Sequence, residues 1–257
     1  MGAHGGPKLA EAGELAVYTD AFNQKRGIEA GVGLSANQRT LTKAGNAVRG
    51  TYGGVTCITY DGTNDGVDFS PAVSIANNDP WTFVVWFYIG NSSSLHRRHL
   101  LCTRASGALT TGNITYYYNT STDANGNQTT RIRFLISEER TAGAQGQLSL
   151  YPGPYGSQYV LTALQNDFWT GQWHHLVIRK GYSSVSRYDA FLNGEYKSGS
   201  TRSTGYVNNG LEVNSFGANG NYAGWYGGLG GPKIYTKALS DSRIAKLYNK
   251  FKKRYNR

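Results

Sequence analysis

The stretch from Thr82 to Ile89 reads Thr-Phe-Val-Val-Trp-Phe-Tyr-Ile. Its apolar run is continuous and rich in β-branched and aromatic residues, so it predicts a central strand with both faces buried. Arg131 to Ile136 alternates instead and places Ile132, Phe134 and Ile136 on one face. With Ile114 to Tyr118 before it and Asn125-Gly126 between, it predicts a β-hairpin with a long loop. Trp173 to Arg179 and Tyr188 to Leu192 predict two more strands, and Asn193-Gly194 turns the chain into Glu195-Tyr196-Lys197 as a second hairpin. Ser137 to Gly146 and Leu148 to Gln158 read as loops, broken by Pro152-Gly153-Pro154.

One helix closes the chain. Ser240 is a suitable N-cap, and Asp241 suits the positive end of the dipole. Ile244, Leu247, Tyr248, Phe251 and Tyr255 then form one apolar stripe, with Lys and Arg on the opposite face. No linker or internal repeat divides the pattern. We read residues 1–50 as an N-terminal arm and first strands of the same domain, 51–239 as its body, and 240–257 as a basic amphipathic helix.

Composition agrees with a β-rich fold. The chain has 257 residues, 13% of them aromatic, and 34 glycines that supply turns. A domain of this size buries roughly 70–75% of its unfolded surface and needs no staples. Only 16% of residues are charged, which argues against a helical bundle. No 18-residue apolar stretch predicts a membrane span. Met1 to Leu9 lacks a signal pattern, so we expect synthesis in a cytoplasm without ordinary export. Four Asn-x-Ser/Thr triplets, beginning at Asn91, Asn113, Asn119 and Asn127, are then chance matches. Cys57 and Cys102 fit two buried free thiols better than a disulfide in that compartment. The net charge is +10, but seven cations and no acid lie between Ser242 and Arg257, leaving +3 for the rest. Such a tail suits an acidic partner surface or nucleic acid, or is simply a solvated helix face.

The chemistry is mainly an absence. There is no Gly-x-Ser-x-Gly elbow, His-Glu-x-x-His or Walker loop. The cluster Gly227-Gly228-Leu229-Gly230-Gly231-Pro232-Lys233 lacks phosphate-loop spacing and predicts a bend in a sheet. Jelly-roll glycosidases need two carboxylates across the scissile bond, and the Glu-x-Asp-x-x-Glu strand pattern is missing. Glu138-Glu139 read as solvated loop charges. His174 and His175 are strand neighbours that face opposite sides and cannot easily share one ion. His96, His99 and Cys102 are close in sequence, but Arg97 and Arg98 disfavour a cation there. No catalytic residue and no firm metal site is predicted. Asp61 and Asp65, in the Asp61–Asp68 segment, are a weak calcium candidate, since calcium wants six to eight oxygens; an Asx-rich turn accounts for the same residues. Asn221, Tyr222, Trp225 and Tyr226 pair aromatic rings with amides, as a carbohydrate site does. Core and turn packing at a sheet edge is the competing reading.

Five pieces in order resemble the laminin-G-like, concanavalin A-like jelly-roll family. They are Tyr60-Asp61-Gly62-Thr63-Asn64-Asp65-Gly66-Val67-Asp68-Phe69; Trp81-Thr82 with Trp86; Gly171-Gln172-Trp173-His174-His175-Leu176; Phe191-Leu192-Asn193-Gly194; and Ile234-Tyr235-Thr236-Lys237-Ala238-Leu239-Ser240, followed by Ile244 and Leu247-Tyr248. The resemblance implies a mainly β fold, a two-sheet antiparallel jelly-roll sandwich with one C-terminal α-helix. Gly230 and Gly231 stand where members often carry acids, which removes any metal or ligand role of those acids here. Gly5 to Leu9, Leu15 to Ala21 and Leu34 through Leu41 resemble the openings of laminin-G-like virion proteins of tailed phages, especially cyanophages.

That resemblance implies a non-enzymatic virion structural protein, a capsid decoration or a tail or appendage component, made in the host cytoplasm. Its partners would be other virion proteins, in a homo-oligomer or on the particle, with Lys250, Lys252, Lys253 and Arg254 as the assembly contacts and nucleic acid not expected. The alternative is a lectin-like module for host cell-surface carbohydrate, relying on Tyr222, Trp225 and Tyr226.

Overall fold

The computed structural model describes residues 14–19, 21, 39–62, 65–76, 79–90, 97–102, 121–122, 128–129, 132–138, 146–152, 159–160, 171–184, 187–201, 211–217 and 225–255. In chain order the strands are β1 (Leu15–Tyr18), β2 (Thr40–Ala44), β3 (Val48–Tyr52), β4 (Val55–Asp61), β5 (Gly66–Ile75), β6 (Trp81–Ile89), β7 (Arg97–Cys102), β8 (Ser121–Thr122), β9 (Gln128–Thr129), β10 (Ile132–Glu138), β11 (Gly146–Pro152), β12 (Tyr159–Val160), β13 (Trp173–Lys180), β14 (Arg187–Leu192), β15 (Glu195–Thr201), β16 (Leu211–Phe216) and β17 (Tyr226–Tyr235). One helix, α1 (Asp241–Tyr255), follows. An eight-stranded sheet has the order β15-β14-β13-β6-β17-β4-β3, with β1 also on β17, and a seven-stranded sheet has the order β12-β11-β10-β7-β16-β5-β2. All their pairings are antiparallel, and β8 and β9 pair separately. This is the expected mainly β sandwich with a C-terminal helix.

The unbroken apolar run of β6 has a direct cause. Trp81, Phe83, Val85 and Phe87 point into the sandwich and meet Val67, Phe69, Val73 and Phe216 of the other sheet. Val84 and Trp86 point the other way, under α1. Strand alternation thus places apolar residues on both faces because both faces are covered. The predicted stripe of α1 does the covering: Ile244, Leu247 and Tyr255 are buried, and Phe251 and Tyr248 pack beside them. Each full burial of such a side chain is worth roughly 1.5–3 kcal/mol.

The ends of α1 are held by polar contacts. The Arg243 amide donates to Ser240 Oγ at 3.3 Å, the expected N-cap. Arg179, buried on β13, donates to Asp189 Oδ2 through Nε and Nη2 at 3.0 and 2.7 Å. Its Nη1 reaches the Leu239 carbonyl at 2.7 Å and Asp241 Oδ1 at 2.6 Å. One guanidinium therefore ties the sheet to the start of the helix.

The glycine cluster forms the bend expected of it. Register slips in β17 between Gly230 and Lys233, where Gly231 has φ +53. Along the same edge β17 pairs with β4 up to Leu229 and with β1 from Lys233. A Cβ on Gly230 would lie 2.3 Å from the Tyr255 hydroxyl, so glycine there makes room for the last turn of α1.

Two expectations are corrected. Leu148 to Pro152 is not loop, nor are Ser137, Glu138 and Gly146: Ser137 and Glu138 end β10, and Gly146–Pro152 is strand β11, paired residue by residue with it. The hairpin partner of Ile132–Glu138 is therefore β11, while Ile114 to Tyr118 lies outside the described residues. Leu148, Leu150 and Pro152 alternate with polar Gln147 and Ser149, a pattern that the nearby Pro152-Gly153-Pro154 break overshadowed. The second hairpin forms as expected, with Leu192 opposite Glu195 across Asn193-Gly194, whose φ values of 54 and 85 suit a two-residue turn.

Candidate functional site

A cleft of about 370 Å³ opens at one end of the helix-covered face of the eight-stranded sheet. It is lined by Gly53, Tyr88, Gly171, Gln172, Trp173, His174, Asn193 and Tyr255. Its volume sits at the low end of ligand pockets, roughly 300–1,000 Å³.

Several sheet elements and the helix supply the walls. Tyr52 and Tyr88 have ring centroids 5.1 Å apart, Tyr88 and Trp173 are 5.6 Å apart, and Trp173 and Tyr255 are 4.8 Å apart. Trp173 Nε1 donates to the Tyr52 carbonyl at 3.1 Å, which fixes the indole against the β3–β4 turn. That turn is Gly53-Gly54, with φ +53 and +74. A Cβ on Gly53 would meet Tyr88 at 3.1 Å and Trp173 at 3.3 Å, so glycine allows the rings to close on the turn. Trp173 also lies over Gly228, whose Cβ would come within 3.0 Å of the indole. Tyr52 and Tyr88 are half-buried, while Trp173 keeps only 7% exposure. The amides of Gln172 and Asn193 complete the lining, the former exposed. Asn193 Oδ1 accepts from the His175 amide at 3.0 Å, which sets the orientation of that side chain.

The floor is inert. Cys57 is a buried free thiol, and burial pushes it up to about 12. His175 is pressed between Trp86 and Tyr248, with centroids at 4.9 and 5.8 Å. Burial first, and the Lys233 charge second, push it down to about 3, so it is neutral. Lys233 Nζ itself lies 4.5 and 4.6 Å from the Tyr18 and Phe251 ring centroids. No carboxylate is among the eight lining residues.

The residues singled out from the sequence fall elsewhere. Trp225 is fully buried and meets Phe87 edge-on at 5.9 Å, which corrects its assignment as a sugar-stacking ring: it belongs to the sandwich core. Tyr226 is half-buried, packed against Gly62 and Gly90. Asn221 and Tyr222 lie outside the described residues. Asp65 is buried and accepts from the Asn46 and Asp61 amides, both at 2.5 Å, while Asp61 Oδ2 accepts from Asn46 Nδ2 at 2.8 Å. These carboxylates hold a turn together, and burial raises Asp65 to about 6. Both Asp65 oxygens accept backbone amides, and among the described residues no three His, Cys, Asp or Glu side chains gather in one place. His174 and His175 do face opposite sides, the former against Phe87 at 5.4 Å and the latter against Trp86. The side chains of His96, His99 and Cys102 lie outside the description. Along α1, Lys250 and Lys253 are exposed, Lys252 Nζ sits 5.7 Å from the Tyr248 ring, and Arg254 Nη2 donates to the Thr56 carbonyl at 3.3 Å. Among the described residues no helix is long and apolar enough to cross a membrane.

Sequence reasoning missed Tyr88, Trp173 and Tyr255 as a site because β6, β13 and α1 are far apart in the chain. The available signals were Tyr52-Gly53-Gly54, a glycine turn beside an aromatic, and Gly171-Gln172-Trp173 at a strand start.

Residues 61–245 match the laminin-G family model described as the Concanavalin A-like lectin/glucanases superfamily. The chain belongs to that superfamily. Among solved structures it is similar to domain 4 of AbnA, a GH43 extracellular arabinanase from Geobacillus stearothermophilus in complex with arabinotriose, at 16% identity and TM-score 0.55, covering 91% of this chain and 98% of that one. It is also similar to the botulinum neurotoxin serotype D binding domain, at 13% identity, TM-score 0.55 and coverage of 92% and 52%. The binding domain of Paraclostridial Mosquitocidal Protein 1 aligns at 14% identity, TM-score 0.54 and coverage of 93% and 53%. This superfamily member thus spans about half the length of the two toxin binding domains. At these identities the likeness is one of fold. No curated protein matches the chain.

Proposed function

We propose that this chain is a non-enzymatic saccharide-binding module whose ligand enters the cleft walled by Tyr88, Trp173 and Tyr255. The cleft's chemistry carries the reading. Aromatic faces stack on the apolar faces of sugar rings, and the Gln172 and Asn193 amides suit hydroxyls. Glycoside hydrolysis would need two carboxylates some 5–9 Å apart, and the lining residues carry none. The saccharide complex of the arabinanase domain and the binding role of the toxin domains agree with this use of the fold.

The test is a glycan array followed by titration calorimetry on the whole chain, with and without chelator and at two salt concentrations. Tyr88→Ala is expected to weaken binding at least about fivefold, since a stacked ring is worth on the order of 1 kcal/mol or more, with the unfolding midpoint as the folding control. An array without any hit, or a hit that Tyr88→Ala leaves unchanged, overturns the reading.

A second reading sets the module on a phage particle, as a capsid decoration or a tail or appendage component made in the host cytoplasm. It rests on the N-terminal resemblance of Gly5 to Leu9, Leu15 to Ala21 and Leu34 to Leu41, and on the exposed cations Lys250 and Lys253 of α1. Its partners would be further virion proteins or copies of itself. Light scattering and co-sedimentation with particles test it: a strict monomer that stays in the supernatant counts against it.

A further inference from the structure

The outer face of the eight-stranded sheet carries two ring pairs in line. Trp173 of β13 stands opposite Tyr88 of β6, and two residues further along the strands His175 stands opposite Trp86. Strand alternation puts all four side chains on one face, with roughly 6.5–7 Å between the pairs along the strands. That spacing is about the length of one sugar ring. The pairs are covered differently. Tyr88 and Trp173 line the cleft, whereas Trp86 is buried. Helix α1 does the burying. The Tyr255 ring lies over Trp86 at 4.4 Å with 11° between the planes, and the Tyr248 ring at 5.6 Å and 17°. Tyr248 also closes over His175 at 5.8 Å. Parallel stacking at this distance is the contact that a bound ring would make with the same indole. Tyr255 thus occupies the stacking position next in line after the cleft.

This barrier is firmly seated. Tyr255 also meets Trp173 at 4.8 Å, and its hydroxyl end sits over Gly230, where a Cβ would collide with it. The flanks of the cleft are turns. Asn193 stands beyond β13 on one side, and Gly53 beyond β6 and β17 on the other. The Asn193 flank is joined to the helix, because Gly194 packs under Tyr248, whose ring a Cβ would meet at 2.8 Å. Exposed Gly171 and Gln172, just ahead of Trp173, line the side away from Tyr255. On the saccharide-binding reading, we infer that the cleft is blind at Tyr255 and takes the end of a saccharide chain, not an internal segment. A terminal ring enters past Gln172, stacks on Tyr88 and Trp173, and stops against Tyr255. An internal segment has to continue beyond that pair, and along the strands the next stacking face is Trp86, which Tyr255 already fills. A volume of about 370 Å³ suits a chain end. Tyr255 is then the residue that sets this specificity, by exclusion.

The experiment uses the intact protein. A glycan array, displaying each sugar both as a chain terminus and within longer chains, identifies the sugar that binds. A long chain of that sugar then serves as competitor at constant mass, before and after partial endo-hydrolysis that multiplies its ends. Array hits are expected to share a terminal residue, and competition is expected to rise in proportion to the number of ends. Competition unchanged by hydrolysis, or array hits confined to internal residues, would overturn this inference while keeping the saccharide site. An array without any hit would overturn the saccharide reading itself. Tyr255→Ala should strengthen competition by the unhydrolysed chain at least about fivefold, since the uncovered Trp86 face offers one more stacked ring. A Tyr255→Ala protein with a normal unfolding midpoint that still follows chain ends would overturn the role given to Tyr255. Should that variant fail to fold, the hydrolysis comparison on the unaltered protein decides alone.

Discussion

The two faces of the eight-stranded sheet are built by different rules. The inner face meets the second sheet mainly through aliphatic and aromatic side chains, Phe83, Val85, Phe87, Leu176 and Ile178 among them, with His174 buried beside Phe87 as a polar exception. The outer face, under α1, mixes apolar packing with buried polar groups: Arg179 on Asp189 and Asp241, neutral His175 between Trp86 and Tyr248, and Lys233 between Tyr18 and Phe251. Apolar burial is non-directional, so it suits two sheets already aligned by their strands. A single helix on a flat face could slide or rotate. Hydrogen-bonded and ring-stacked groups with fixed geometry hold its position, and with it the rim of the cleft.

Breaking either face should be costly, but only one of them should be repairable by apolar residues. Trp225→Ala on the inner side and Asp189→Ala on the outer side are each expected to cost about 3–5 kcal/mol, the first by cavity formation and the second by stripping the buried Arg179 guanidinium of its Nε and Nη2 acceptor. Urea denaturation with far-UV detection measures both. The double substitution R179M/D189L should regain most of the second loss, since apolar groups can replace a buried pair. If it does not, the pair does more than fill space.

Gly230→Val should cost up to about 3 kcal/mol through overpacking against Tyr255. It should also weaken ligand binding by moving a cleft wall, which calorimetry at matched temperature would detect.

Acid separates the regions further. His175 is held below its unfolded value of 6.5, down to about 3, so its neutral form stabilises the native state above pH 6.5 and that contribution is lost as pH falls toward 3. The loss should be on the order of 2 kcal/mol at pH 5. Near-UV circular dichroism of the aromatic rings under α1 should fade first, and His175→Phe should flatten this slope. Asp65 works in the opposite direction. Its folded value of about 6 lies above the ordinary 3.8, so its contribution is full below pH 3.8 and is lost as pH rises to about 6. Asp61→Asn should lower Asp65 and reduce that opposing slope. The smallest effect is expected from Ser240→Ala, about 1 kcal/mol from the lost N-cap, seen as a slightly lower midpoint.

Much of the architecture was legible beforehand. The β6 run predicted two buried faces, Asn193-Gly194 predicted its turn, and the stripe of α1 predicted the buried face of the helix. The opposed directions of His174 and His175 followed from strand alternation alone. Strand β11 was lost because its short alternation ends in Pro152-Gly153-Pro154, a louder signal for a break. Trp225 was misjudged because an aromatic beside amides looks the same in sequence whether its strand begins in the core or at an edge.

Local patterns thus determined which segments become strands and helix, since alternation, periodicity and turn chemistry act over a few residues. The cleft could not be read that way. Tyr52, Tyr88, Trp173 and Tyr255 meet because β17 shifts its register at Gly230-Gly231, because Gly53 and Gly228 leave room for the rings, and because Arg179 fixes the helix above them. Only the packed structure decided that the distant aromatics Tyr88, Trp173 and Tyr255, and not Trp225 or Tyr226, would share one opening.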